Sequence, residues 1–192
     1  MQTEYTNLRA SPLPRGVWRF DPTTEVLSYV ISRTDVPLPN GLRVSPDQKT
    51  LYVTDNGGLY EDGGDDRLHA TTSTPAIYAY SVLPNDEPSL NCIPTNRRVF
   101  DLVRDGIGDG LHVDDAGRVW TGESSGITVR RADGKVLGSF NSQAYLVNQT
   151  TEATPLANFA LAGDTLVVLA VDRLYRVELA QKVVGNNVAI IN

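Results

Sequence analysis

One pattern occurs three times in the chain and constrains its fold more than any other feature. A short polar side chain leads into a strand-like run, a turn follows, and a second strand-like run completes the unit. The units begin at Asn40, Asp109 and Asn158. The first two starts are 69 residues apart and the last two are 49 apart. The first unit therefore carries about 20 extra residues, which is the length of the polar segment 56–75.

The rest of each unit extends the repeat towards four strands. A third run rich in β-branched or aromatic residues follows each pair, and a fourth run follows the first two pairs, at residues 99–103 and 136–140. Pro, Gly and Asp separate the runs, and no window keeps the apolar spacing of an amphipathic helix. Four antiparallel strands repeating at about 40–50 residues are typical of a propeller blade. The sequence therefore predicts an all-β protein, a β-propeller.

The repeat divides the chain into about 3.5 four-stranded blades. We expect residues 15–38 to form the outer hairpin of a preceding blade, and residues 39–104 to form a blade with the 56–75 insertion. Residues 105–141 form the next blade, and residues 155–192 the last blade and a tail. Propellers close with four to eight blades, so we expect this chain to be part of a ring, or to self-associate through its open blade faces. Closure as a four-bladed ring is the alternative.

Charge and composition restrict the partners of the chain. It has 17 Lys and Arg against 23 Asp and Glu, a net charge of −6, which disfavours nucleic acid and anionic membranes as partners. The longest apolar run, residues 166–171, is far shorter than the roughly 20 residues of a spanning helix. The single cysteine, Cys92, permits no internal disulfide, and the first 15 residues lack the apolar stretch of a signal peptide. We expect a soluble protein of unknown compartment.

Two blade starts carry a resemblance to a known family. The run PNGLRVSPDQKTLYVTD at residues 39–55, together with GIGDGLHVD at 106–114 and GRVW at 117–120, resembles the gluconolactonase and senescence-marker-protein (regucalcin-like) family. Fungal lactonohydrolase-like members are the most similar kind. The resemblance implies a six-bladed β-propeller, of which this chain matches the carboxy-terminal part.

The resemblance also implies a metal site. In the family a divalent cation, usually Ca²⁺, lies in the central channel, held by a Glu of the first blade, an Asn of an Asn-Gly element and an Asp of an Asp-Gly element. Asn40 and Asp109 match the last two ligands, and Asp109 would also be the catalytic base. Zn²⁺ or Mn²⁺ are the alternative ions. The first-blade Glu and the family's Arg-x-Asn-Asp-Gly element have no match here, so the site is expected to be incomplete as given.

The function implied by the resemblance is a metal-dependent hydrolase of a lactone or related cyclic ester, with a lactone or sugar-derived small molecule as substrate. His112 and Asn158 are weaker candidates for substrate contact. A plainer interpretation is also open, because Asx side chains before a strand often only satisfy local backbone groups. One Asn and one Asp cannot supply the six to eight oxygens that Ca²⁺ takes. The alternative function is therefore a catalytically inactive propeller remnant that acts as a binding or interaction module.

Other reactive residue types are predicted to have no catalytic role. His69 and three aspartates lie in the polar insertion and are expected to be solvated, and Cys92 has no His nearby in sequence. Ser124 lacks the Gly-x-Ser-x-Gly elbow of a hydrolase nucleophile, so a blade turn is expected there. The three aspartates, which lack the spacing of a calcium loop, are Asp62, Asp65 and Asp66.

Overall fold

The computed structural model describes residues 13–57, 74–82, 93–124, 126–141, 156, 158–170 and 173–184. These ranges contain thirteen strands and no α-helix. The strands are β1 (Gly16–Asp21), β2 (Val26–Ser32), β3 (Pro39–Val44), β4 (Thr50–Asp55), β5 (Ala76–Val82), β6 (Pro94–Leu102), β7 (Leu111–Val113), β8 (Val119–Glu123), β9 (Gly126–Arg130), β10 (Val136–Asn141), β11 (Asn158–Ala162), β12 (Thr165–Ala170) and β13 (Arg173–Glu178). A search of the described residues finds no helix with the length and apolar character needed to cross a membrane.

The strands form four antiparallel sheets in which each strand pairs with its neighbour in the sequence. β1 and β2 form a two-stranded sheet. β3 to β6 and β7 to β10 form four-stranded sheets, and β11 to β13 form a three-stranded sheet. The predicted all-β organisation in successive meanders is confirmed.

Tight turns close the hairpins where the sequence places Asp and Gly. Between β7 and β8, Asp114 Oδ1 accepts hydrogen bonds from the backbone N–H of Ala116 at 3.0 Å and of Arg118 at 2.9 Å. Gly117 has a φ of 75°, a left-handed conformation that glycine adopts at little cost. Asp114 Oδ2 accepts further bonds from Arg118 Nε at 2.6 Å and Trp120 Nε1 at 2.9 Å. The turn therefore also fixes a tryptophan that is buried between sheets.

Apolar side chains fill the spaces between consecutive sheets. A sheet that packs on both sides needs strands buried on both faces, which is why every residue of β9 is buried. One cluster joins the β1–β2 sheet to the β3–β6 sheet, and comprises Ile31, Val36, Leu51, Val53, Ala76, Tyr78, Tyr80 and Val82. A second joins the β3–β6 and β7–β10 sheets, and comprises Tyr52, Ile77, Ala79, Leu111, Val113 and Val119. A third joins the β7–β10 and β11–β13 sheets, and comprises Trp120, Ile127, Val129, Leu156, Phe159, Leu161, Leu166, Val168, Ala170 and Val183.

One strand of the structure is longer than predicted, and the predictions for two segments remain untested. β6 begins at Pro94, five residues before the run predicted at 99–103. Residues 58–73 of the insertion and residues 185–192 of the tail lie outside the described residues. The division into blade units therefore stays a prediction at the insertion and after β13.

A buried arginine ties two sheets together. Arg130 on β9 is fully buried. Its Nε donates to Asp101 Oδ2 at 2.6 Å and its Nη2 to the Leu102 carbonyl at 3.2 Å, both at the end of β6 in the preceding sheet. Nη1 donates to Thr121 Oγ1 at 2.8 Å. Nη2 also lies 2.7 Å from Glu123 Oε1, an ionic contact because the angles are not those of a hydrogen bond.

We predict that Arg130→Met costs about 3–5 kcal/mol in the free energy of unfolding, because the buried Glu123 carboxylate is left without its counterion and Asp101 keeps only the exposed Arg104. Urea denaturation of the purified chain measures this change. The matched control is Arg131→Met at the next position, where the side chain is 57% exposed and pairs with Asp133. The control should leave the free energy of unfolding close to that of the wild type, because the pair is exposed and screened by solvent. Equal losses for the two variants would contradict a structural role for the buried network.

Candidate metal centre

Asn40 lies in an irregular stretch at the start of β3. The pairing of β3 with β4 shifts register between Pro39 and Leu42, so Asn40 and Gly41 lie outside the regular ladder. The Gly41 N–H donates to Thr54 Oγ1 at 2.6 Å. A bulge of this kind changes the direction in which a side chain points. The Asn40 residue is exposed, near the start of β3.

Asp109 lies two residues before β7 and is held by the neighbouring strand. Its backbone N–H donates to the Gly122 carbonyl at 2.9 Å, and the Gly122 N–H donates to the Gly110 carbonyl at 2.8 Å. These bonds continue the pairing of β7 with β8 beyond its regular end. Asp109 is half-buried, whereas Gly110 is buried.

The structure brings Asn40 and Asp109 together. The Asn40 side chain lies beside the Asp109 carboxylate and interacts with it. Burial raises the pKa of the Asp109 carboxyl above its ordinary value, and the interaction with Asn40 lowers that pKa in part. An amide and a carboxylate from two different sheets thus meet at one point.

Two glycines allow the blade starts to approach this closely. A Cβ on Gly41 would collide with the Asp109 carbonyl oxygen, and a Cβ on Gly110 would collide with Asn158 Oδ1. Asn158 Oδ1 also accepts a hydrogen bond from the Phe159 N–H at 2.8 Å. In each Asx-Gly pair, the glycine thus packs against the Asx residue at the start of the next sheet. We call Asn40, Asp109 and Asn158 the blade-start cluster.

The donors of the blade-start cluster fit a hard cation but supply part of a coordination shell. Asp101 and Asp114 each form an ion pair with an arginine. By contrast, burial and the Asn40 amide account for the shifted pKa of Asp109, with no Lys or Arg of the described residues contributing. A half-buried carboxylate with an amide beside it suits a cation that prefers oxygen. Within the described part of the chain, no three His, Cys, Asp or Glu side chains come close enough to form a metal site on their own.

His112, the other candidate for substrate contact, lies between two sheets. Its ring centroid is 5.0 Å from that of Phe159 on β11. Burial lowers the pKa of His112, Arg43 lowers it further, and a hydrogen bond with the Phe159 backbone raises it. The imidazole is therefore neutral at pH 7, in the space where β7 and β11 pack.

Some predicted residues fall outside the described residues, namely Asp62, Asp65, Asp66, His69 and Cys92. Ser124 is described, between the end of β8 and the start of β9. The contribution of Thr54 was missed from the sequence. The alternation of β4 predicts that Thr54 faces the same side as Tyr52, but no sequence signal indicates that its hydroxyl meets Gly41 and Asp109.

A sequence model of the family described as SMP-30/Gluconolactonase/LRE-like region matches residues 4–147. The chain belongs to this family. Its similar relatives include a gluconolactonase of Zymomonas mobilis, 29% identical over 182 residues, which cover 90% of this chain and 44% of that protein. A lactonohydrolase of Aspergillus oryzae is 29% identical over 178 residues, covering 86% of this chain and 35% of that protein. The chain thus spans less than half the length of these family members.

Solved structures of family members share the fold. A gluconolactonase of Xanthomonas campestris superposes with a TM-score of 0.62 at 26% identity, over 85% of this chain and 44% of its own. A structure titled as a calcium-binding protein, regucalcin, from Agrobacterium tumefaciens superposes with a TM-score of 0.57 at 17% identity, over 88% of this chain and 53% of its own. The prediction of an all-β propeller of the six-bladed family is confirmed, and the count of about 3.5 blades stays a prediction.

We predict that Asp109→Asn stabilises the metal-free chain relative to the wild type as the pH rises from about 4 to about 7. The pKa of Asp109 is higher in the folded chain than in the unfolded chain, so the folded chain binds its proton more tightly. Ionisation then weakens folding, and asparagine removes that effect. Urea denaturation at several pH values, with a chelator present, measures the difference.

Asp133→Asn is the control with the opposite sign. The hydrogen bond from Arg131 lowers the pKa of Asp133 to about 2, so its ionised form favours the folded chain. This variant should lose stability relative to the wild type as the pH rises from about 2 to about 4. A difference between Asp109→Asn and the wild type that does not change with pH would show that Asp109 is not in a desolvated position.

Proposed function

We propose that this chain contributes part of the active site of a metal-dependent hydrolase that opens lactones or related cyclic esters. Relatives named gluconolactonase and lactonohydrolase support this proposal. The observation that carries it is the close approach of Asn40 and Asp109 from separate sheets, where a Cβ on Gly41 would collide with the Asp109 carbonyl oxygen. The chain spans less than half the length of those relatives, so the activity of the whole protein is part of this proposal.

The ion in this proposal is Ca²⁺, because every side chain of the blade-start cluster offers oxygen, the donor that hard cations prefer. The relative titled as a calcium-binding protein supports this choice. Zn²⁺ and Mn²⁺ are the alternatives. When bound, such an ion polarises an ester carbonyl and lowers the pKa of a water molecule. Asn40 and Asp109 would hold it, and further carboxylate and water oxygens would complete the shell.

Asp109 has a second task in this proposal, that of general base. Water bonds to the carbonyl carbon of the lactone, the ring C–O bond breaks, and the ring oxygen leaves as a hydroxyl group of the open hydroxy acid. A carboxylate oxygen of Asp109 takes the proton of the attacking water and returns it to the ring oxygen. The raised pKa of Asp109 favours this role, because a base works best when its pKa is close to the working pH.

Asn158 and His112 are the side chains we assign to substrate contact. Asn158 is the better placed of the two, since its Oδ1 lies against Gly110, the residue that follows Asp109. His112 packs on Phe159, so its contribution would be to the wall of the site. Both are uncharged at pH 7, which suits a neutral sugar-derived lactone.

We predict that Ca²⁺ binds the wild-type chain and that Asp109→Asn abolishes this binding. Asparagine keeps the shape of aspartate but removes the charge that attracts the ion. Isothermal titration with Ca²⁺, Zn²⁺ and Mn²⁺ measures the binding. The control is Asp164→Asn, which changes an exposed carboxylate in the turn between β11 and β12 and should leave binding unchanged.

Lactone opening tests the reaction itself. A pH-stat assay with δ-gluconolactone and Ca²⁺ should show a rate that Asp109→Asn lowers by about 10²-fold or more, the usual contribution of a general base. A wild-type chain that binds none of the three ions would contradict the proposed metal site. Chain that binds Ca²⁺ but leaves the lactone unopened would favour the binding-module alternative for the chain by itself.

We also propose that the isolated chain self-associates through its terminal sheets. Phe20 and Leu27 pair across β1 and β2 and are both exposed, as are Leu169 and Leu174 across β12 and β13. Apolar pairs of this kind are normally covered. Sedimentation velocity should show association that Leu174→Ser weakens, whereas Val99→Ser, an exposed change on β6, should not. A monomer at all concentrations would contradict this prediction.

A further inference from the structure

Thr54 joins the backbone of Gly41, next to Asn40, to the backbone of Asp109. It lies near the end of β4 and is fully buried. Its hydroxyl accepts a hydrogen bond from the Gly41 N–H at 2.6 Å, and its own hydrogen faces two acceptors, the Gly41 carbonyl and the Asp109 carbonyl, each at 3.3 Å. One hydroxyl group therefore contacts the backbone on both sides of the candidate metal centre.

We propose that Thr54 is the positioning residue that sets the distance between Asn40 and Asp109. This inference rests on the proposed function, since positioning matters only if the two side chains share a ligand. Thr54 does not touch the reacting groups; it acts through the backbone of Gly41 and Asp109.

The bulge in β3 explains why a side chain is needed there. Asn40 and Gly41 lie outside the regular pairing of β3 with β4, so the Gly41 N–H has no strand partner in the ladder. A buried N–H without a partner costs about 1–3 kcal/mol. Thr54 Oγ1 supplies that partner and so stabilises the conformation that directs Asn40 towards Asp109.

The Thr54 side chain also packs on the segment that leads to Asp109. A Cβ on Gly108 would lie 3.1 Å from Thr54 Cγ2 and 3.2 Å from Thr54 Cβ, so Thr54 packs closely on the residue before Asp109. β3 and β7 belong to different sheets, and no ladder of backbone bonds joins them. A threonine side chain, with a hydroxyl on one side and a methyl on the other, connects the two sheets at this point.

Three variants separate the hydroxyl from the methyl. Thr54→Val keeps the shape and removes the hydroxyl, Thr54→Ser keeps the hydroxyl, and Thr54→Ala removes both. We expect Thr54→Val to weaken Ca²⁺ binding about tenfold, the usual cost of losing a group that orients a metal ligand. Thr54→Ser should bind within about twofold of the wild type. If Thr54→Val does not fold, Thr54→Ser against Thr54→Ala makes the same comparison with the methyl absent from both.

A second measurement needs no metal. In ¹⁵N-labelled chain with a chelator, the side-chain amide protons of Asn40 report its interaction with the Asp109 carboxylate. Thr54→Val should move these signals towards those of a solvent-exposed amide, and Thr54→Ser should restore them. The control is Thr121→Val, an equally buried threonine on β8 whose hydroxyl bonds Arg130. It should lower the melting temperature without moving the Asn40 signals or the Ca²⁺ affinity.

The two proposals fail in different ways. Wild-type chain without Ca²⁺ affinity sinks the proposed function, whereas the Asn40 signals still test Thr54. Unchanged Asn40 signals and unchanged affinity in Thr54→Val would overturn the positioning role. An equal defect in Thr54→Ser and Thr54→Val would overturn it too, because the hydroxyl would then not be the active group.

Discussion

The close approach of neighbouring blade starts is the constraint on which the candidate site depends. At Gly41 the carbonyl oxygen of Asp109 occupies the space that a side chain would need, and at Gly110 the Asn158 side chain does so. Backbones at this separation leave no room for a Cβ, so the short Asx side chains beside them meet. The interaction between the Asn40 amide and the Asp109 carboxylate follows from this approach. Longer side chains at the glycines would separate the sheets and the oxygen donors together.

The charges in the fold divide into two groups with different partners. Arg130 and Arg118 neutralise the buried carboxylates that hold sheets and turns together. Asp109 is half-buried, but its side-chain partner is the neutral Asn40 amide, and burial raises its pKa. A charge that is removed from water without an opposite charge nearby destabilises the folded chain. A purely structural role therefore does not explain an aspartate at this position. The proposed role in binding a cation would explain it, and this reasoning is independent of the family relationship.

The sequence predicted what is local and repeated. The Asx-led strand pairs, the turn signals and the β-branched runs act over fewer than ten residues, and the same pattern recurs at Asn40, Asp109 and Asn158, so the blades could be predicted. The pairing of Asn40 with Asp109 was implied by the resemblance of their Asn-Gly and Asp-Gly elements to those of the family. Thr54 and Arg130 could not be predicted. Their partners lie 55 and 29 residues away, on other sheets, and a buried threonine or arginine in a strand has no distinctive spacing.

The same kind of hydrogen bond, from a backbone N–H to a carboxylate, occurs in two sheets and holds the segments that precede the candidate site. Asp55 Oδ1 at the end of β4 accepts a hydrogen bond from the Leu38 N–H at 2.9 Å, and Glu123 Oε2 at the end of β8 accepts one from the Arg104 N–H at 2.8 Å. Each carboxylate thus holds the chain as it leads towards Asn40 or towards Asp109. Charged acceptors make stronger bonds than neutral ones. The segments before both oxygen donors are therefore anchored to the second strand of their own sheet, and Thr54 joins the two sheets. Together these contacts restrict the donors to a narrow range of positions, which is what binding a single ion requires.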